Sequence, residues 1–231
     1  IPDSVTNVGW RAFWICTNLT SISFGRGLTA VEVETFARCS NLRGVAIPNT
    51  VTSIGPGAFR TCISLTNVVI PNSVTSIGNS AFSGCWSLPA VTIPESVTNL
   101  EAGAFRFCFS LTRVYFAGDA PSPDKDLSMF EYSPPTLVAY YLPGTTVWQP
   151  KFDGGPTRLW NPQATTLSAG GEGFGFNITG PNNAAVVVEA ATNLVNPVWV
   201  PVATKLLAGG QSQFDDPDWG KYPRRFYRFS P

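Results

Sequence analysis

The cysteines are the residues whose type and spacing first suggest chemistry. The five cysteines recur at one constant interval, at Cys16, Cys39, Cys62, Cys85 and Cys108. Equivalent thiols in stacked repeats would form a parallel column, and parallel side chains disfavour the torsion of about 90° that a disulfide needs. A zinc site would need C-x-x-C pairs or histidines, and the sequence has neither. We therefore expect reduced, buried thiols that act as small apolar fillers.

The sequence also lacks residues suited to acid–base or nucleophilic catalysis. The chain has no histidine, which excludes Ser-His-Asp and Cys-His catalysis and His-ligated metals. Glu32 and Glu34 form the closest glutamate pair, but they lie in a repeat that offers no cleft to raise a pKa. Asp215, Asp216 and Asp218 do not have the spacing of a known calcium loop. We predict no catalytic, cofactor-binding or metal-binding residues, and we do not expect an enzyme.

Composition and charge exclude two further classes of partner. Among 231 residues, 15 basic side chains balance 15 acidic ones, so no net field would draw the protein to nucleic acid. The most apolar run, 184–191, is far shorter than the roughly 18 to 20 residues that span a bilayer. With 21 glycines and 20 prolines the chain is rich in turns. We expect neither a nucleic-acid partner nor a membrane span.

The cysteine interval is the period of a whole repeat. Its consensus is IPxSVTxIGxxAFxxCxxLTxVx, and other core positions keep the same phase, for example Phe13, Phe36, Phe59, Phe82 and Phe105. The L-x-x-V-x-I stretch has the apolar alternation of a short strand, which a proline then ends. The A-F-x-x-C stretch is typical of a single helical or 3₁₀ turn. The repeat predicts an α/β fold of stacked coils with short strands and single helical turns.

This pattern resembles the BspA-like class of leucine-rich repeats of bacterial surface and secreted proteins, and 47–93 match it best. The resemblance implies a leucine-rich-repeat solenoid with a parallel sheet on one face. It also implies a bacterial protein that is secreted or displayed at the cell surface. Because Ile1 begins in mid-pattern, we expect the sequence to be a fragment or a mature form that lacks earlier coils.

The repeats predict two domains. Five coils occupy 1–115, a C-terminal cap follows at 116–160, and a small all-β, sandwich-like domain occupies 161–231. The stretch from Tyr140 to Trp160 resembles the terminal cap of BspA-like proteins, whose aromatic residues would shield the last coil. In the second domain we predict strands at 174–178, 185–190, 199–204 and 225–229. This segment resembles a short C-terminal module of secreted bacterial proteins.

Two sets of outward side chains are candidate binding surfaces. The first surface, on the predicted sheet, consists of two neighbouring rows whose C-terminal ends carry Asn67, Val69, Arg113 and Tyr115. The second surface is a row that follows the cysteines and becomes strongly apolar at Ile63, Trp86 and Phe109. The alternative for the first surface is a plain solvated surface. For the second surface it is a covering by the capping loop or by the C-terminal module.

Three functions are compatible with these features. The first is a non-enzymatic extracellular module that binds a protein partner or serves in adhesion through the solenoid surface. The second is a structural spacer or display scaffold for the C-terminal module. The third is a carbohydrate-binding accessory protein that uses Trp10, Trp14 or the cap tryptophans.

Overall fold

The computed structural model describes residues 1–121, 128–170, 173–182 and 184–231. The chain divides into two compact units, Ile1–Arg158 and Leu159–Pro231, which are described separately. Residues 122–127 of the predicted capping loop lie outside the described residues, as do Gly171 and Asn183 of the predicted turns.

The first unit is built from short strands that recur in each coil from the second onward. In chain order they are β1 Ala30–Val31, β2 Gly44–Ala46, β3 Ser53–Ile54, β4 Asn67–Val69, β5 Ser76–Ile77, β6 Ala90–Ile93, β7 Asn99–Leu100, β8 Arg113–Phe116, β9 Val138–Tyr141, β10 Lys151–Phe152 and β11 Gly155–Leu159. The predicted V-x-I strands are β2, β4, β6 and β8. A second series, β1, β3, β5 and β7, comes from the T-x-I-G stretch, where the repeat pattern predicts no strand.

Strands of both series pair in parallel, and each lies one full repeat away from its partner. The series β1-β3-β5-β7 forms one sheet, whereas the V-x-I series is divided between the pair β2-β4 and the sheet that contains β6, β8 and β9. Val45 lies opposite Val68, and Val91 lies opposite Val114. The offset becomes two positions longer where β9 joins β8, since Val114 pairs with Ala139. The stack therefore continues for one more layer into the predicted cap.

The A-F-x-x-C stretches are successive turns, which corrects the predicted helical turns and the α/β class. Two positions in each coil have the left-handed backbone that a right-handed helix excludes. The first is occupied by Glu34, Gly57, Ser80 and Gly103, and the second by Arg38, Thr61, Gly84 and Phe107. Hydrogen bonds alternate accordingly: Phe36 N–H donates to the Ala58 carbonyl of the next coil, and Ala37 N–H donates to the Glu34 carbonyl of its own coil. The solenoid is a β-solenoid, and the described residues contain only one 3₁₀ turn, Trp219–Lys221.

Phenylalanine and cysteine columns fill the core. The rings of Phe36, Phe59, Phe82 and Phe105 stack in parallel with centroids 5.3 to 5.4 Å apart. Each inner thiol donates a hydrogen bond to a phenylalanine carbonyl of the preceding coil, for example Cys62 Sγ to Phe36 O at 3.2 Å.

The expected free thiols are found, and burial separates four of them from the fifth. Cys39, Cys62, Cys85 and Cys108 are buried. Burial raises the pKa of Cys39 to about 11 and that of Cys108 to about 12. Cys16, in the first coil, is exposed.

Aromatic residues after β9 pack on the last layers, as the cap motif predicts. The Trp148 ring lies 5.0 Å from that of Phe116 and 5.3 Å from that of Phe152, measured between centroids. Trp160 behaves differently from this expectation. It belongs to the second unit, where its Nε1–H donates to the Ala185 carbonyl at 3.2 Å.

The second unit contains two three-stranded antiparallel sheets. Its strands are β12 Gln163–Gly170, β13 Gly173–Thr179, β14 Ala185–Ala191, β15 Val200–Leu206, β16 Gln211–Asp216 and β17 Phe226–Ser230, in the orders β12-β13-β16 and β15-β14-β17. The four predicted strands are present with small shifts at their ends, whereas β12 and β16 were missed. Phe176 of β13 contacts Tyr227 and Phe229 of β17, so aromatic side chains join the sheets. The assignment of this unit as a β-sandwich stays a prediction.

Candidate binding surface

The sheet-side residues do not form one exposed site. Asn67 and Val69 of β4 are exposed, and Arg113 of β8 is half-buried. Tyr115, which we expected on the same exposed face, is 2% exposed and stacks on Tyr140 with ring centroids 5.1 Å apart. The prediction of an exposed Tyr115 is wrong, because β9 adds a further strand that carries Tyr140 beside it.

The row that follows the cysteines does form a continuous surface. Ser87 N–H donates to the Ile63 carbonyl, and Ser110 N–H donates to the Trp86 carbonyl, so these turns lie on successive coils. The rings of Trp86 and Phe109 are in contact, with centroids 5.9 Å apart and planes tilted by 44°. Both side chains are about half exposed, and Ile63 beside them is half-buried.

Two further aromatic residues extend this surface. Phe107 meets Phe109 edge to face at 6.3 Å, and Tyr132 stacks on Phe107 at 4.7 Å with nearly parallel planes. Tyr132 remains more than half exposed. We call Trp86, Phe107, Phe109 and Tyr132, with the adjoining Arg106, the aromatic flank.

Arg106 gives the aromatic flank a fixed positive charge. Its guanidinium carbon lies 4.9 Å from the Phe107 ring centroid and 5.4 Å from that of Tyr132, within the range of cation–π attraction. Its Nη2 pairs with Glu131 at 2.7 Å. The charge is therefore held against the rings, where a partner can contact both.

Sequence reasoning missed Phe107, Tyr132 and Arg106 for different reasons. Phe107 occupies a left-handed position that holds Arg38, Thr61 or Gly84 in other coils, so no column marks it. Tyr132 lies between β8 and β9, where the longer offset has broken the repeat phase. Arg106 lies between Phe105 and Phe107 in the sequence, and an arginine flanked by aromatic residues was the available signal.

The capping loop covers the aromatic flank only in part. Tyr132, from the C-terminal end of that loop, shields one face of Phe107. Trp86 and Phe109 stay 47% and 52% exposed. The alternative that the C-terminal module docks here stays a prediction.

A second group of exposed aromatic residues lies in the first coil. Trp10 and Trp14 lie on either side of Arg11, whose guanidinium carbon is 4.5 Å and 5.0 Å from their ring centroids. Arg11 and Arg60 both pair with Glu34. Since the guanidinium occupies a face of each ring, less ring surface is left for stacking on a sugar.

Metal-binding clusters and membrane-spanning helices are both absent from the part of the chain that the structure describes. No group of three or more Cys, Asp or Glu side chains among these residues could hold a metal ion. No helix among them is long and apolar enough to cross a bilayer.

The stacked parallel coils with two strand series define the class: a leucine-rich-repeat β-solenoid. The sequence family described as "BspA type Leucine rich repeat region" matches residues 1–112 in six copies. Residues 1–112 are thus a region of BspA-type leucine-rich repeats.

Solved structures of bacterial repeat proteins are similar to the chain. The leucine-rich repeat protein TpLRR of T. pallidum is 28% identical, over 60% of this chain and 67% of that one, with a TM-score of 0.49. A leucine-rich cell surface protein of Faecalibacterium prausnitzii is 27% identical over 53% and 32%, with a TM-score of 0.44. The pneumococcal vaccine antigen PcpA is 18% identical over 54% and 36%, with a TM-score of 0.47. The comparison with curated proteins finds no match.

Proposed function

We propose that the chain is a non-enzymatic extracellular module that binds a protein partner, or serves in adhesion, through the aromatic flank. The observation that carries the proposal is the contiguous set of exposed aromatic rings beside a fixed arginine. Trp, Tyr and Arg are the side chains most enriched where interfaces concentrate their binding energy. A bacterial cell surface or secreted location agrees with the family of the repeats.

The energetics favour a partner over bare solvent. Covering the exposed part of one large aromatic side chain yields on the order of 1 to 3 kcal/mol. Neighbouring rings on Trp86 and Phe109 can be covered together, and Arg106 at the edge supplies hydrogen-bond donors to a partner's carbonyl or carboxylate. The planes of Trp86 and Phe109 are tilted by 44°, which fits side chains of a protein better than a flat row of sugar rings.

The test compares Trp86→Ala with Trp10→Ala, a matched control in the first coil that is also exposed. Each full-length variant is measured by biolayer interferometry against a panel of purified extracellular matrix proteins. For a matrix protein bound by the unmodified chain, we expect Trp86→Ala to weaken binding at least about tenfold and Trp10→Ala to leave it unchanged. Thermal unfolding of both variants verifies the fold.

A glycan array separates the remaining functions. Binding to glycans that Trp10→Ala removes and Trp86→Ala retains would favour the carbohydrate-binding alternative. No measurable binding to either the matrix proteins or the glycans would contradict the proposal and favour the spacer or display scaffold.

A further inference from the structure

Arginines are concentrated in one five-residue turn of the repeat. The turn extends from the first left-handed position to the second, at 11–15, 34–38, 57–61, 80–84 and 103–107. Together these turns contain one carboxylate, that of Glu34, and four arginines: Arg11, Arg38, Arg60 and Arg106. The remainder of 1–121 has five carboxylates, three arginines and no lysine. Positive charge is therefore in excess on the side of the solenoid that carries the turns.

Ion pairs within the chain neutralise only part of this charge. The single Glu34 carboxylate pairs with both Arg11 and Arg60, so one positive charge is left unbalanced there. Arg106 differs, because Glu131 pairs with it and balances its charge.

Arg38 adds a second unbalanced positive charge. It is exposed, and among the residues that the structure describes it forms no ion pair. Its N–H donates to the Arg60 carbonyl of the next coil, and its left-handed position is occupied by Phe107 three coils further on. At a spacing of about 4.8 Å per coil, Arg38 and Phe107 are roughly 14 Å apart along the stack, which an extended segment of about five residues spans.

We propose that the partner of the aromatic flank is an acidic polypeptide segment that lies along the stack. Its carboxylates would contact Arg38 and the Arg11–Glu34–Arg60 group, and its apolar side chains would cover the rings of Trp86 and Phe109. The inference rests on the proposed function and adds the chemistry of the partner.

Charge and apolar surface together select this occupant. A guanidinium can donate two parallel hydrogen bonds to one carboxylate, which makes arginine well suited to acidic side chains. A polyanion without apolar groups, such as a sulfated polysaccharide, would pair with the arginines but leave the exposed rings of Trp86 and Phe109 uncovered. An acidic segment with aromatic residues can satisfy both.

The probe is a random copolymer of glutamate and tyrosine, because it offers carboxylates and rings in every order. Polyglutamate lacks the rings, a copolymer of lysine and tyrosine carries the opposite charge, and heparin is a polyanion without apolar side chains. Binding of each polymer to the immobilised full-length chain is measured by biolayer interferometry, at about 50 mM and at about 500 mM sodium chloride.

We expect the glutamate–tyrosine copolymer to bind at least about fivefold more tightly than polyglutamate or the lysine–tyrosine copolymer. The higher salt concentration should weaken this binding at least about fivefold, because it screens exposed charges. Heparin that binds more tightly than the copolymer would point to a polysaccharide and overturn the proposal. Binding that does not depend on salt, or no binding of the copolymer, would also overturn it.

Two arginine variants test the position of the site. Arg38→Glu and Arg43→Glu change the net charge equally, and both arginines are exposed in the second coil. Arg43 directly precedes β2 and lies outside the turns, which makes it the matched control. Arg38→Glu should weaken binding of the copolymer at least about fivefold, and Arg43→Glu less than about twofold. Thermal unfolding verifies the fold of both, and equal losses would contradict the assignment of the site.

The same measurements separate this inference from the proposed function. A matrix protein whose binding is weakened by Trp86→Ala but not by Arg38→Glu would support the aromatic flank as a binding site and refute its preference for acidic partners. If Trp86→Ala leaves the binding of every bound matrix protein unchanged, the proposed function itself is refuted. The salt dependence of the unmodified chain tests the role of charge even if a variant does not fold.

Discussion

At the scale of single residues, burial alone divides five equivalent cysteines into two kinds. Thiolates are the reactive form of cysteine, and burial disfavours the charged form. The pKa of Cys39 is raised to about 11, so at pH 8 only about one in a thousand of its thiols is ionised. Cys16 is exposed, so a reagent can reach its sulfur.

We therefore predict that Ellman's reagent at pH 8 titrates one thiol in the folded protein and five after unfolding in guanidinium chloride. The folded-state reaction disappears in Cys16→Ser, whereas Cys85→Ser leaves it in place. Fewer than five thiols in the unfolded, non-reduced chain would contradict the free cysteines of the structure.

The candidate surface shows how far single residues can be predicted. Trp86 and Phe109 could be predicted from the sequence, because each comes directly after a cysteine of the repeat. That position alone places them on neighbouring coils. The alternation of side chains along a strand predicts that Tyr115 points outward. It is nevertheless buried, because the neighbouring strand is β9, which lies beyond the regular repeat. Burial depends on a neighbour that the period does not encode.

At the scale of elements, the A-F-x-x-C stretches form turns whose backbones lie close to those of the neighbouring coils, and not the predicted helical turns. The stretch between the T-x-I-G strand and the cysteine donates hydrogen bonds alternately to its own coil and to the next. The backbone atoms of neighbouring coils are therefore so close that a larger side chain would collide with them. A Cβ at position 78 would lie 2.7 Å from the Pro56 nitrogen and 2.9 Å from the Gly55 carbonyl carbon. The glycine of the I-G dipeptide at this position is required by stacking.

We predict that Gly78→Ala lowers the free energy of unfolding of the solenoid by about 1 to 3 kcal/mol, because backbone atoms must shift to admit the methyl group. Gly44→Ala is the matched control, since its Cβ meets nothing nearer than the Asn67 carbonyl oxygen at 4.0 Å. Thermal and urea unfolding followed by circular dichroism measure both. Equal stability of the two variants would show that the coils are less tightly stacked than described.

The secondary structure could be predicted where an apolar pattern is compatible with only one kind of element. Stretches of L-x-x-V-x-I alternate as a strand does, and β2, β4, β6 and β8 follow. The A-F-x-x-C spacing fits both a helical turn and a series of turns with left-handed residues, since both bring Phe and Cys to the same side. Inter-coil hydrogen bonds decide between them, and these are not visible in one repeat taken alone.

At the scale of the molecule, the first unit is a one-dimensional stack. Neighbouring coils bond to each other at the offset of one repeat, through paired strands and a series of turns. In such an array, stability is a sum of coil terms and interface terms between neighbours. The unit should therefore tolerate the loss of a whole coil far better than the loss of its register.

We predict that deletion of 44–66, which is one complete coil, yields a folded protein with a lower unfolding temperature. Arg43 is then followed by Asn67, which lies opposite Gly44 in the parallel pair, so every core column closes again. The control deletes 44–67. This one further residue puts Val68 in an outward position and turns the inward side chains of that strand toward solvent. Circular dichroism and gel filtration should show a cooperative, monodisperse protein for the first deletion and loss of cooperative unfolding or aggregation for the second. If the two deletions behaved alike, the stack would not be held together by its register.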